Sequence, residues 1–277
     1  MARPEIARRL IVNADDFGLS PSVNQAVVTA HRDGILTTAS LMVNEPGFEE
    51  AVALAKQNPR LGVGLHLTLS HGHSALPPGE IPGLVNERGE FSNRPVSAGM
   101  RYFVRRDLRE ELRREIEAQI KKFKATGLPL DHVNGHLHFH LHPTVFSILM
   151  ETNSGFGIGR MRLTRDPFWL NAGLAPGHWC YRASHAFIYA RLSGRAGRVM
   201  ERRGIRHTRR VFGLLQNARV DEAYVMGLLS RLPGGDSELY SHPSLDEFKN
   251  EFDALVSARV KAAVRENGIQ LIRYQDL

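Results

Sequence analysis

Short apolar runs alternate along this chain with longer stretches whose apolar residues recur every three or four positions. The first run, residues 9–14, reads as a buried strand that ends on Asp15 and Asp16, with Gly18 just beyond. Ser20 or Ser22 then caps a helix over 23–32 that stops before Gly34. The same alternation predicts strands at 37–43 and 61–69 around a helix at 47–57, which Asn58-Pro59 ends. Residues 70–102, rich in Gly, Pro, Ser and His, read as a long loop, and loops of this length in a compact domain are usually functional or mobile. A charged helix follows at 107–125, with Leu108, Leu112, Ile116, Ile120 and Phe123 on one face. A strand at 130–135 precedes a helix opened by Pro143. Beyond it the pattern predicts a strand at 159–163, irregular chain at 166–182, a helix at 184–203 and a strand at 208–214. The last elements are a helix at 220–231, a strand at 237–242, one long helix at 245–266 and a strand at 269–273.

Strands alternating with helices argue for parallel βα units. Seven or eight such units in 277 residues predict an α/β fold, a distorted (β/α) barrel of the TIM type. A single domain over 1–277 is expected, carrying a basic, aromatic insert at about 164–206.

Composition changes this picture little, but charge changes it locally. The apolar share of 42% and charged share of 23% are ordinary for a globular protein. One cysteine, Cys180, permits no internal disulfide and suits a reducing cytoplasm. The stretch 1–9 has no apolar core of the secretory kind, and no run approaches the roughly 20 apolar residues of a membrane span. The net charge of +7 is concentrated: residues 155–215 hold twelve Arg and no Lys, against only Asp166 and Glu201. On the helix at 184–203, Ile188, Leu192, Ala196 and Val199 share a face beside a stripe of Arg191, Arg195, Arg198 and Arg202, with Trp169 and Trp179 upstream. This pattern predicts either an anionic membrane surface as partner, at the inner face of the membrane, or a packed barrel helix with solvated arginines. No nucleic-acid reading motif accompanies the arginines, so no nucleic-acid partner is expected.

The candidate chemistry sits at predicted strand ends. Asp15 and Asp16 can divide labour between metal binding and proton transfer, or cap the helix that follows; both reach one site only if the strand turns there. His66 lies in an apolar run, where a hydrogen-bonded core histidine is the commoner occupant. His132, His136, His138, His140 and His142 crowd one short span, as a metal site or a polar surface tract does. His242, in Tyr240-Ser241-His242-Pro243, ends another predicted strand. Asp and His gathered from several strand ends are the material of a metal site in an α/β barrel.

These residues resemble the YdjC-like carbohydrate deacetylases. The resemblance is carried by Asn13-Ala-Asp-Asp-Phe-Gly18, Gly64-Leu-His66, Gly135-His136-Leu-His138 with Pro143, and His242-Pro243, in the family order. Within that family the chain is most similar to the hopanoid-biosynthesis-associated branch, which removes acetyl from an N-acetylglucosamine-bearing hopanoid. The resemblance implies a metal-dependent N-deacetylase with one divalent ion, zinc or magnesium, held by Asp16, His66 and His136. It implies Asp15 as base and His242 as acid, and hints at a homodimer. His138 and Arg162 are expected to contact substrate, and Arg162 alternatively to orient Asp15. Asn134 departs from an Asp common in related sequences, and Leu137 replaces a polar residue. One other function remains open, a barrel metal phosphoesterase, which usually holds two metals; a nucleic-acid binder built on the arginines would leave the strand-end Asp and His unexplained.

Overall fold

The computed structural model describes residues 6–216 and 219–277; the stretch 1–9 read above lies partly outside them. Strand β1 (Arg8–Phe17) leads to α1 (Pro21–Asp33), β2 (Thr38–Leu41), α2 (Phe48–Gln57) and β3 (Gly62–Leu67). Then come α3 (Pro95–Val104), α4 (Leu108–Ala125), β4 (Val133–Gly135) and α5 (Pro143–Phe156). The basic region forms α6 (Phe168–Leu174) and α7 (Trp179–Arg202). The chain closes with β5 (Arg210–Phe212), α8 (Glu222–Ser230), β6 (Gly235–Ser241), α9 (Lys249–Val256), α10 (Ala258–Glu266) and β7 (Gln270–Ile272).

All strand pairs are parallel, in the order β4-β3-β2-β1-β6-β5, with β7 also on β1. Every strand therefore ends on the same edge of a curled sheet, and side chains at those ends share one mouth. β1 is central because it is buried from Leu10 to Phe17, with neighbours on both sides and helices over it. The α/β class is as expected. The expected ring of seven or eight strands becomes a curled sheet of seven among the described residues. Between β4 and β5 there is no ladder: Met161 bridges to Val133 and Arg160 to Arg206, one residue each. The predicted strand at 159–163 is reduced to these bridges, since β4 beside it is only three residues long.

Three further expectations change. The long loop contains α3, which Pro95 opens. The irregular stretch contains α6 and the first turn of α7. The single helix at 245–266 is two helices: Ser257 is extended, and its hydroxyl accepts from the Arg259 and Val260 N–H groups to cap α10. Helix α4 buries the apolar face read from sequence, and adds Glu115 and Gln119 to it. Their polar atoms are satisfied: Glu115 accepts from the Ala75 and Leu76 N–H groups, and Gln119 accepts from the Thr68 N–H and donates to its carbonyl. This pins the loop after β3 over the sheet edge.

Candidate metal centre and active-site pocket

The end of β1 explains how two adjacent acids reach one mouth. The β1–β2 register shifts between Ala14 and Phe17, and Asp16 sits at φ +62°. A bulge, rather than the strand's end, turns Asp16. Gly18, at φ +94°, completes the turn where a Cβ would stand 2.9 Å from the Met42 carbonyl oxygen.

Asp16 Oδ1 lies 3.1 Å from His66 Nε2 and 2.9 Å from His136 Nδ1. One donor atom from each of the three residues falls within 4.8 Å of the others. His66 is prepared for such a role: its Nδ1 donates to Asn134 Oδ1 at 2.7 Å, which leaves the Nε2 lone pair toward Asp16. Burial opposes the charged form of Asp16, but the charge and hydrogen bond of His136 outweigh it and hold the carboxyl well below its ordinary pKa. An ionised carboxylate and two imidazoles, oriented by a hydrogen bond behind one of them, fit a divalent ion and leave coordination positions for other ligands.

Asp15 is a different kind of acid. Its Oδ1 accepts from Asn13 Nδ2 at 2.8 Å, Asn134 Nδ2 at 3.0 Å and Arg162 Nη2 at 2.9 Å, and its Oδ2 from Arg162 Nη1 at 2.7 Å. Burial would raise its pKa; the guanidinium overrides burial and holds it far below the carboxylate range. Arg162 also donates to Glu238 Oε1 at 2.9 and 2.7 Å and lies 4.4 Å over the Tyr240 ring. Glu238 in turn accepts from the Tyr274 hydroxyl. Arg162 is wholly buried, is not among the residues that line the pocket, and holds both carboxylate oxygens of Asp15.

His242 follows β6 and faces the same pocket. Its Nδ1 is 3.8 Å from Glu251, which also accepts from the His242 backbone N–H. Burial works against its charge, but Glu251, Asp16 and Asp15 together push its pKa up to about 9. His138 follows β4 at φ +58° and lies in the pocket, with Nε2 3.0 Å from the Tyr240 hydroxyl. Burial and then Arg162 push it well below its ordinary pKa, so it stands neutral.

The histidine tract thus divides. Only His136 joins the donor cluster, and His138 lines the pocket. His132 bonds Asp131 and Ser40 and stacks on Tyr274; His140 meets the Arg162 carbonyl; His142 meets the Gly99 carbonyl. His140 and His142 thus tie down the turn after β4, while His132 belongs to the buried polar network within the sheet.

The pocket, about 330 Å³, joins Asp15, His66, His136 and His242 to a wall from α7: Tyr181, His185 and Tyr189. An adjoining cavity of about 360 Å³ shares Val96, Leu137, His138, Phe139 and Tyr189 with it and is otherwise lined largely by Met100, Phe103, Ile188 and Leu192. Sequence reasoning missed the α7 wall, Glu238 and Glu251. The four-residue spacing of Tyr181, His185 and Tyr189 was the available signal for the first. For the others only a carboxylate inside an apolar pattern pointed inward.

A carbohydrate deacetylase of Brevibacillus brevis is 44% identical over 143 residues, 52% of this chain and 54% of that protein. A chitooligosaccharide deacetylase of Serratia marcescens is 31% identical over 97% of this chain and 98% of its own length. The chain thus spans about half the length of the first relative and nearly all of the second. A solved Enterococcus faecalis structure named for cellobiose-phosphate cleavage overlays with a TM-score of 0.73 at 25% identity, covering 98% of both chains. The YdjC-like protein family profile matches residues 9–266, from the first residues of β1 to the end of α10. With the bulged acid pair and both histidine strand ends inside that match, the chain belongs to the YdjC-like protein family.

Proposed function

We propose that this protein removes the acetyl group from an N-acetylglucosamine-type sugar on an apolar aglycone, using one divalent ion, zinc or magnesium, held by Asp16, His66 and His136. The observation that carries this reading is one pocket lined by His66 and His136 of the donor cluster, by an ionised Asp15 and by a charged His242. The deacetylase names of the relatives agree with it. When bound, the ion supplies a Lewis acid for the amide carbonyl and lowers the pKa of water toward about 7. Asp15 receives the proton of the attacking water. Held so low by Arg162, it passes that proton on readily, at the expense of driving force for taking it. His242 is protonated at neutral pH and delivers a proton to the departing nitrogen, without which an amine does not leave. Neutral His138, held through its two nitrogens by Tyr240 and Thr164, forms part of the wall against which the sugar or acyl group would rest.

The adjoining cavity supports the lipid-linked form of this substrate, because its walls carry few groups to pair with sugar hydroxyls. A glycolipid of the hopanoid type is the member of that class suggested by the sequence resemblance. Beside the cavity α3 exposes Val96 and Phe103, 81% and 60% accessible, and α7 exposes Ile188 next to Arg191 and Arg195. No helix among the described residues is long and apolar enough to cross a membrane, so access to such a substrate would come through this face resting on an anionic bilayer. Acetate release from alkyl N-acetylglucosaminides and from chitooligosaccharides tests the reading. The alkyl series is expected to show the higher kcat/KM; no release from either removes the proposal. Flotation with anionic and neutral vesicles tests the bilayer contact, and absence from both removes it. Counting ions per chain separates this reading from a two-metal phosphoesterase.

A further inference from the structure

Helix α7 brings three rings to the pocket at four-residue steps: Tyr181, His185 and Tyr189. Tyr181 and His185 have centroids 3.8 Å apart at 32°, and His185 and Tyr189 are 6.3 Å apart at 25°. Tyr189 meets the His138 ring edge-on at 5.2 Å. The result is a continuous aromatic wall facing the acids and imidazoles of the strand ends.

The polar atoms of this wall are unequally committed. The Tyr181 hydroxyl donates to the Leu214 carbonyl and the Tyr189 hydroxyl to the Leu137 carbonyl, each at 3.3 Å. These bonds strap α7 to the loops after β5 and β4, on two sides of the mouth. They fix the rings as a stack: Tyr181 and His185 cover each other's facing sides, so the rims and the outer sides of the stack are what the pocket meets. His185 Nδ1 donates to the Tyr181 carbonyl at 2.9 Å, which selects the tautomer with a lone pair on Nε2. Among the described residues nothing bonds that Nε2. The pocket therefore holds two anchored phenol rings and, between them, one oriented and unused acceptor.

We infer that the Tyr181–His185–Tyr189 face of α7 is a binding subsite for a pyranose ring, with His185 Nε2 accepting a hydrogen bond from a sugar hydroxyl. A pyranose presents C–H groups on its faces and hydroxyls around its rim. The outer sides of the stacked phenol rings suit the former, and a single fixed acceptor at the rim suits one of the latter. The inference rests on the sugar substrate proposed above, and it assigns recognition to the insert while the strand ends carry the chemistry.

His185→Ala and His185→Gln, compared with the wild-type metal-loaded enzyme, test this. The readouts are kcat and KM for an alkyl N-acetylglucosaminide, and saturation-transfer NMR of N-acetylglucosamine. His185→Ala is expected to raise KM about tenfold, the loss of one hydrogen bond worth about 1.4 kcal/mol, with kcat within twofold. His185→Gln, whose carbonyl is an acceptor, is expected to recover most of it. His185→Ala should also weaken the NMR contact. A wild-type KM in His185→Ala, or a fall in kcat alone, overturns the subsite while deacetylation stands. Sugar binding that weakens in His185→Ala, from a protein that releases no acetate, upholds the subsite and removes the proposed reaction. No sugar binding by the wild type removes both.

Discussion

Replacing Arg162 by Met would separate the two roles that sequence left open for it. Arg162 makes four hydrogen bonds to two carboxylates, Asp15 and Glu238, which are 2% and 0% exposed. Removing one partner of a buried ion pair costs about 3–5 kcal/mol, because the other charge remains without solvent. At pH 7 Arg162→Met should therefore lose about 4 kcal/mol of unfolding free energy. The pH dependence gives a sharper signature. In the wild type the pKa of Asp15 is depressed on folding below 3.8, so its contribution is present above that value and lost only as pH falls through the folded pKa. In the variant, burial without the guanidinium raises the folded pKa of Asp15. Stability then falls as pH rises from about 4 toward neutrality. Each proton bound by the folded but not by the unfolded chain contributes about 1.4 kcal/mol per pH unit, so the loss at pH 5 should be smaller than at pH 7, by up to about 3 kcal/mol. Urea unfolding of both proteins with chelator present, followed by circular dichroism at the two pH values, measures this. A loss under about 1 kcal/mol, or one equal at both pH values, would refute the buried pairing.

Three other expectations follow from the same geometry. Asp15→Asn should retain metal uptake and lower kcat by about 10²–10⁴, read from metal content and steady-state rates together; undiminished turnover dismisses it as the base. Asn134→Ala frees His66 Nδ1 and should weaken ion binding about 10–100-fold by calorimetry, and an unchanged constant means that His66 needs no orienting partner. Glu251→Gln should move the His242 pKa from about 9 back toward 6.5 in an NMR titration of the chelated protein. The charge on His242 stabilises the fold fully below 6.5 and fades as pH rises through about 9, so the variant should lose stability mainly below that upper limit.

The strand ends were legible because each is a short apolar run broken by a polar residue and a turn former. The family resemblance singled out Asp16, His66 and His136 among those strand-end residues, and the structure brings their donor atoms together. The five-histidine tract shows where that reasoning stops. Spacing alone cannot tell which imidazoles a chain turns inward, and the left-handed pair Leu137 and His138 re-aims everything after Gly135. Arg162 was noticed by position, yet its burial depends on Glu238, seventy-six residues away, and no local pattern links the two. Helix α3 was hidden for a related reason: its apolar residues Val96, Met100 and Phe103 face solvent, and Gly and Pro around them read as loop. The break at Ser257 was missed because apolar spacing continues across it while a hydroxyl caps the new helix.

The central claim is that Asp16, His66 and His136 hold one ion together. Zinc titration calorimetry of the chelator-stripped wild type and of His136→Ala tests it most directly. One tight site per chain, weakened at least a hundredfold in the variant, is the predicted result; equal uptake by the two proteins would contradict it.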